Sequence, residues 1–113
     1  MREKVYIFVD DEREGLFKLN ADFMREKGFV CFHCHTAKEA ISLINRYCNI
    51  ADIVLDLDHD LADETETGYT VCKAIVENQI PIKGFYLHTK NPVGQKNMYD
   101  LMTHYGYSCI GME

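Results

Sequence analysis

"ADIVLDL", Ala51 to Leu57, decides the fold. Its apolar residues run on without the polar–apolar alternation of a strand that has one wet face. A strand of this kind is covered on both sides, as the strands of a parallel sheet are. The chain then continues "DHDL", so that Asp56, Asp58, His59 and Asp60 crowd together at the lip of the core. Like charges that close repel, and something must offset them.

Outward from this strand the pattern alternates. "VYIFV" (5–9) is a β-rich apolar run that ends in acids. Leu16, Phe17, Ala21, Phe23 and Met24 recur at helical spacing until Gly28, where a left-handed cap residue is wanted. "FVCFHC" (29–34) is the second strand. "TAKEAISLINRYC" opens with Thr36 and Glu39 in capping-box spacing. Beyond the central strand, "TGYTVCKAIVENQ" reads as a third helix, "KGFYLHT" as a fourth strand and "YSCIG" as a fifth. Between the last two, "NPVGQKNMYDLMTHYG" has Asn91 as N-cap, Pro92 at the first helical position and Gly106 at the end. Strand and helix alternating four times over make a parallel α/β sheet with right-handed crossovers.

Composition bounds the function. A chain of 113 residues, 47% hydrophobic, is one domain with one core. Its net charge of −6 argues against generic binding along a nucleic-acid backbone, but not against a small phosphorylated ligand or a nucleic-acid end held through a metal. No stretch approaches the roughly 18 apolar residues of a membrane span, and the start lacks the shape of a signal peptide. Five cysteines without framework spacing point to reduced thiols in a cytoplasm.

Chemistry in such sheets gathers outside the carboxyl ends of the strands. Asp10, Asp11, Glu12 and Arg13 follow the first strand, the aspartate cluster the third, and His88, Thr89, Lys90 and Asn91 the fourth. Asp10, Asp11 and one or two of Asp56, Asp58 and Asp60 therefore form an acidic pocket. A hard divalent cation offsets their repulsion, with Mg²⁺ the leading candidate and Mn²⁺ the substitute. The plain structural alternative is that these are solvated loop acids and helix caps. Backbone amides at Thr67–Gly68 and at Asn91–Gly94 stand where helix starts receive phosphate oxygens. A histidine near neutral pKa, at His59 or His88, moves protons in phosphodiester chemistry, or else is a hydrogen-bonded structural residue.

"VDDER", "LDHDL", "TGY" and "HTKNPVGQKNM" resemble, over nearly the whole chain, the cyclic-phosphate processing receiver family, a relative of response-regulator receiver domains. The resemblance implies a three-layer, flavodoxin- or CheY-like five-stranded parallel sheet in the order 2-1-3-4-5. It implies a role at a cyclic or terminal phosphate, as a metal-dependent phosphoesterase or binder. Asp58 is then the central carboxylate, with Asp10, Asp11 and Asp60 beside it on the metal, though Asp60 also suits orienting His59. His59 and His88 transfer protons, and Thr89 joins the reacting group. Arg13, Thr67, Gly68, Lys90 and Asn91 take phosphate oxygens. Ordinary receivers place a lysine just after strand five, whereas this chain reads "SCIGME". The alternative function is a phospho-accepting or degenerate receiver that serves as a signalling module.

Two further features stand apart. In "CFHCH", Cys31 and Cys34 point to opposite faces of a strand, so they cannot share a zinc ion. His33 and His35 do share a face, where adventitious metal binding is the most they imply. The chain as given also has no fifth helix after "YSCIG". One sheet face is then covered by the first helix alone, and Tyr107, Cys109 and Ile110 are expected to meet a homodimer mate or another protein there.

Overall fold

A computed structural model describes residues 2–62 and 65–112. Five strands, β1 (Glu3–Val9), β2 (Phe29–Cys34), β3 (Ala51–Leu57), β4 (Gly84–Leu87) and β5 (Cys109–Met112), form one parallel sheet in the order β2-β1-β3-β4-β5. Between them lie α1 (Glu14–Glu26), α2 (Ala37–Tyr47), α3 (Gly68–Glu77) and α4 (Pro92–His104). β1 pairs on both edges, with Ile7 opposite Phe32 on one side and Leu55 on the other. That central place is why every residue from Val5 to Val9 is buried. No helix of the described residues is long and apolar enough to cross a membrane.

Side-chain alternation divides the core in two. Val5, Ile7, Val9, Ile53, Leu55 and Leu57 pack against α2, α3 and α4 through Ile44, Ile75 and Met98, among others. Tyr6, Phe8 and Val54 face the other way, toward Met24, Leu16 and Phe17 of α1. The helix ends follow their capping residues. Thr36 Oγ1 accepts the Glu39 N–H at 3.1 Å, and Asn91 Oδ1 accepts the Gly94 N–H at 2.9 Å. Gly28, at φ +90°, turns the chain out of α1 in a conformation that side chains disfavour.

The α1 face is only partly covered. Beside α1, above β4 and β5, lies a groove of about 300 Å³ floored by Tyr6, Asp56 and Tyr86. Ile110 lies over Gly84, which belongs to the same face, and is half exposed like Met112. Tyr107 and Cys109 depart from expectation, because both pack into the larger core on the opposite face. The Tyr107 hydroxyl donates to the Ile80 carbonyl at 2.8 Å, and that bond holds the ring against the end of α3.

One contact ties the sheet rim to α3. A Cβ on Gly68 would stand 2.0 Å from the Asp58 carbonyl oxygen, a backbone atom that cannot swing away. Gly68→Ala is therefore expected to lose roughly 1–3 kcal/mol or more by overpacking. Urea unfolding with an unchanged midpoint would contradict the close approach.

Candidate functional site

The rim is set by backbone bonds that run one residue past the strands. Asp10 N–H donates to the Cys34 carbonyl (3.0 Å), Asp58 N–H to Val9 (3.0 Å) and His88 N–H to Leu57 (2.9 Å). These bonds fix the three residues just outside β1, β3 and β4.

Asp10 is fully buried. Its Oδ1 accepts the backbone N–H groups of Glu12 and Arg13 at 2.8 and 3.0 Å, which shapes the loop into α1. Its Oδ2 faces Arg13 Nε at 2.9 Å and His88 Nε2 at 3.0 Å. Burial alone would raise the Asp10 pKa, but the two amides, the guanidinium and the imidazole outweigh it and hold the carboxyl below its ordinary value. Arg13 reaches on, its Nη2 meeting Asp58 Oδ2 at 3.0 Å and the His88 carbonyl at 3.0 Å. The guanidinium thus spans two of the carboxylates that the sequence assigned to a metal. Burial works against its charge, and Asp10 and Asp58 more than restore it.

Among the described residues, Asp10, Asp11 and Asp58 bring carboxylate oxygens within 4.8 Å of one another. A pocket of about 370 Å³ opens over them, lined also by Arg13, Asp60 and Lys90. The donors are all oxygen, the set that suits a hard cation, and Asp11 is the most open of the three. Lys90 is exposed at this wall. Asp60 lies outside the trio. Its Oδ1 bonds His59 Nδ1 at 2.8 Å and Asn91 Nδ2 at 3.2 Å, and the His59 bond is the main reason its carboxyl is held low. The imidazole is thereby oriented through Nδ1.

Asp56 and His88 leave the pocket for the interior. β3 ends at Leu57, so Asp56 keeps the strand's alternation and points with Val54 to the α1 face, while Asp58 turns into the pocket. His88 is 2% exposed and stacks on Phe8 with ring centroids 4.3 Å apart. Its Nδ1 meets Asp56 Oδ1 at 2.6 Å and its Nε2 meets Asp10. With both nitrogens engaged and the ring covered, His88 does not present itself to a substrate, which corrects the proton-transfer role expected of it. Burial pulls its pKa down, but Asp56 first and Asp10 second outweigh burial and raise it. On the far side, Asp56 Oδ2 accepts a hydrogen bond from the Tyr6 hydroxyl, whose proton is locked in by burial and by the Asp56 charge. Neither Tyr6 nor the nearby Asn20 was singled out from sequence.

Two other expectations shift. Thr67 and Gly68 are occupied within the protein. The Gly68 N–H donates to the His59 carbonyl at 2.8 Å, the Thr67 N–H goes to Thr70 Oγ1, and Thr67 Oγ1 caps Tyr69 N–H. These amides close a seam between the β3–α3 loop and α3, so they are not free for phosphate. Gly94 behaves alike: its N–H is used by Asn91, and a Cβ there would meet the His59 ring at 2.4 Å. Thr89 accepts the Asn91 N–H at 3.2 Å and keeps its own O–H to donate.

The model of the cyclic-phosphate processing receiver domain matches residues 5–104. The chain belongs to this family. No curated protein matches it. Among solved structures, the signal receiver domain of a "Luxo repressor protein" from Vibrio parahaemolyticus is 23% identical, with TM-score 0.70, over 97% of this chain and 76% of that one. The non-phosphorylated HemR receiver domain of Leptospira biflexa is 22% identical, with TM-score 0.67, over 97% and 80%. TrrA of Thermotoga maritima, solved in complex with Mg²⁺ and BeF, is 17% identical, with TM-score 0.65, over 96% and 84%. At these identities the likeness is one of fold. In this cyclic-phosphate receiver, β5 ends in Gly111 and Met112, and the cation bonded to Asp58 comes instead from Arg13, beside β1.

Proposed function

We propose that the acid pocket binds a cyclic phosphate, or the terminal phosphate of a nucleotide or RNA end, together with a divalent cation, and hydrolyses the ester. The observation that carries this reading is the His59–Asp60 pair at 2.8 Å, an oriented and partly open imidazole beside three carboxylates. A phosphorylation switch has no use for such a pair. Mg²⁺ or Mn²⁺ held by Asp11 and Asp58, with Asp10 behind them, would neutralise phosphate oxygens and polarise the phosphorus. Arg13 then transfers from Asp58 to a phosphate oxygen, for which its planar fork is suited. Thr89 donates its hydroxyl proton to a second oxygen, and Lys90 adds charge at the wall. His59 Nε2 takes a proton from the attacking water as the new P–O bond forms. It returns that proton to the ester oxygen whose bond to phosphorus breaks.

Phosphorus NMR of 2′,3′-cyclic, 3′,5′-cyclic and oligonucleotide cyclic phosphates, with Mg²⁺ or Mn²⁺, tests the reading directly. Metal-dependent turnover supports it, and an inert panel overturns the hydrolytic part. The second reading, a phospho-accepting receiver, is favoured by Asp58 just past β3 and Thr89 just past β4. Acetyl phosphate would then add a phosphoryl mass that Asp58→Asn abolishes. In that reading Phe23, Ile110 and Met112, exposed around the groove beside α1, are where a second copy or a protein partner docks. Light scattering that shows a monomer at high micromolar concentration would remove this surface from the proposal.

A cation in the pocket also alters stability. A ligand bound only by the folded state adds about 2.7 kcal/mol when present at 100 times its Kd. For a domain of this size, Mg²⁺ at such an excess should raise the Tm by roughly 10 °C or more. Asp11→Asn should reduce that gain, while raising the Tm of the metal-free protein by relieving repulsion. A Tm that stays flat across millimolar Mg²⁺ would remove the cation from the site.

A further inference from the structure

We infer that Glu14, His33 and His35 form a second metal site, for a borderline transition ion of the Zn²⁺ class, distinct from the carboxylate pocket. His33 Nδ1 stands 3.6 Å from Glu14 Oε1, and His35 Nε2 stands 3.5 Å from the same oxygen. All three ligand atoms fall within 4.8 Å of one another. Atoms bound tetrahedrally at zinc's usual bond lengths lie roughly 3.3–3.6 Å apart, so two edges of the polyhedron are already in place. These contacts are too long for hydrogen bonds, and among the described residues neither nitrogen has another hydrogen-bond partner. Two imidazole nitrogens therefore face one carboxylate oxygen across a gap the size of an ion.

The His33 ring is held for this task. Its side chain is 7% exposed, stacked between Phe17 (4.8 Å) and His35 (4.2 Å) and set edge-on to Phe8. Its Nε2 lies 2.8 Å from the Asp10 carbonyl, an atom that only accepts, so Nε2 carries the hydrogen. In the neutral ring the lone pair is then on Nδ1, aimed at Glu14. A metal-bound histidine is commonly oriented in this way, its other nitrogen donating to a carbonyl or carboxylate. Two nitrogens and one oxygen suit Zn²⁺, Co²⁺ or Ni²⁺ better than Mg²⁺, which takes oxygen and keeps its waters. Three protein ligands leave a fourth position for water or a ligand atom from outside. Neither Cys31 nor Cys34 enters the set: Cys31 Sγ lies against the Ala21 and Phe29 carbonyls, and Cys34 packs into the opposite core.

Calorimetric titration with Zn²⁺ in excess Mg²⁺, with parallel absorption spectra of the Co²⁺ form, tests the site. About one ion per chain should bind with a Kd on the order of micromolar or tighter. The Co²⁺ form should show intense four-coordinate ligand-field bands without sulfur charge transfer. His33 is buried and its variants could misfold, so the exposed partners carry the test. Glu14→Gln and His35→Gln should each weaken binding by roughly ten- to a hundred-fold or more, with the Mg²⁺-induced shift in Tm retained in His35→Gln. Wild-type affinity in either variant, sulfur-to-metal bands, or binding no tighter than millimolar would each overturn the assignment.

Discussion

His88→Leu is expected to destabilise the fold by about 3–5 kcal/mol, the usual cost of removing one partner from a buried ion pair. The imidazole stands between Asp10 and Asp56, each within 3.0 Å, and all three are nearly inaccessible to water. Leucine fills the space against Phe8 but leaves two carboxylates buried with less positive charge between them. The sign of the pH dependence follows. In the wild type the folded His88 pKa is raised above 6.5, so its contribution is complete below that value and is lost as pH rises through the folded pKa. Asp10, held below 3.8, contributes above that value and loses its share as pH falls through its folded pKa. In His88→Leu the penalty should shrink as pH rises through the folded His88 pKa, where the wild type also loses the charge. It should shrink again on acidification below 6.5, where protonation relieves the repulsion between the buried carboxylates. His88→Gln combined with Asp56→Asn, a neutral hydrogen-bonding pair, should recover most of the loss. Chemical denaturation at pH 5, 7 and 9 reads all of this, and a loss under 1 kcal/mol at pH 7 would show that the triad carries little of the stability.

His59→Ala should lower the turnover of a cyclic phosphate by roughly 10²–10⁴-fold, the range a positioned acid–base group supplies. It should leave Mg²⁺ binding intact, because His59 is not one of the three clustered carboxylates. Asp60→Asn should give a smaller loss, since it removes the charge that orients Nδ1 but leaves the ring in place. A drop in kcat with an unchanged KM would mark a group that acts on the reacting atoms, not on binding. Equal turnover in wild type and His59→Ala would eliminate the histidine as proton carrier.

Much of this architecture was legible in the residues. The apolar run Ile53–Leu55 in β3, Thr36 and Asn91 at their caps, and Gly28 after α1 each state a local rule that the tertiary structure respects. The site was legible as a place and less so as a set of roles. Arg13 reads as a phosphate ligand because its guanidinium matches phosphate, yet its present bond to the His88 carbonyl joins residues 75 apart, which no local pattern encodes. His59 and His88 both follow strands and look alike in sequence. What separates them is that Tyr86 and His88 share a face by alternation, which carries His88 under α1, whereas His59 lies beyond the end of β3. The Tyr6 hydroxyl gave a quiet signal of its own, one polar atom in the apolar run of β1 that required a buried acceptor. The amides of Thr67 and Gly68 were misread because a helix start seen in isolation does not reveal that a loop carbonyl already covers it.

The central position of β1 also has a consequence for biosynthesis. Tyr6 and its partner Asp56 are separated by 50 residues, which a ribosome adds in roughly 2.5–10 s at about 5–20 residues per second. β2, α1 and α2 are made earlier and can cover one edge and parts of both faces of β1, but the other edge must wait for β3. β1 therefore stays half-paired until β3 has been made, the interval in which a chaperone has most to protect.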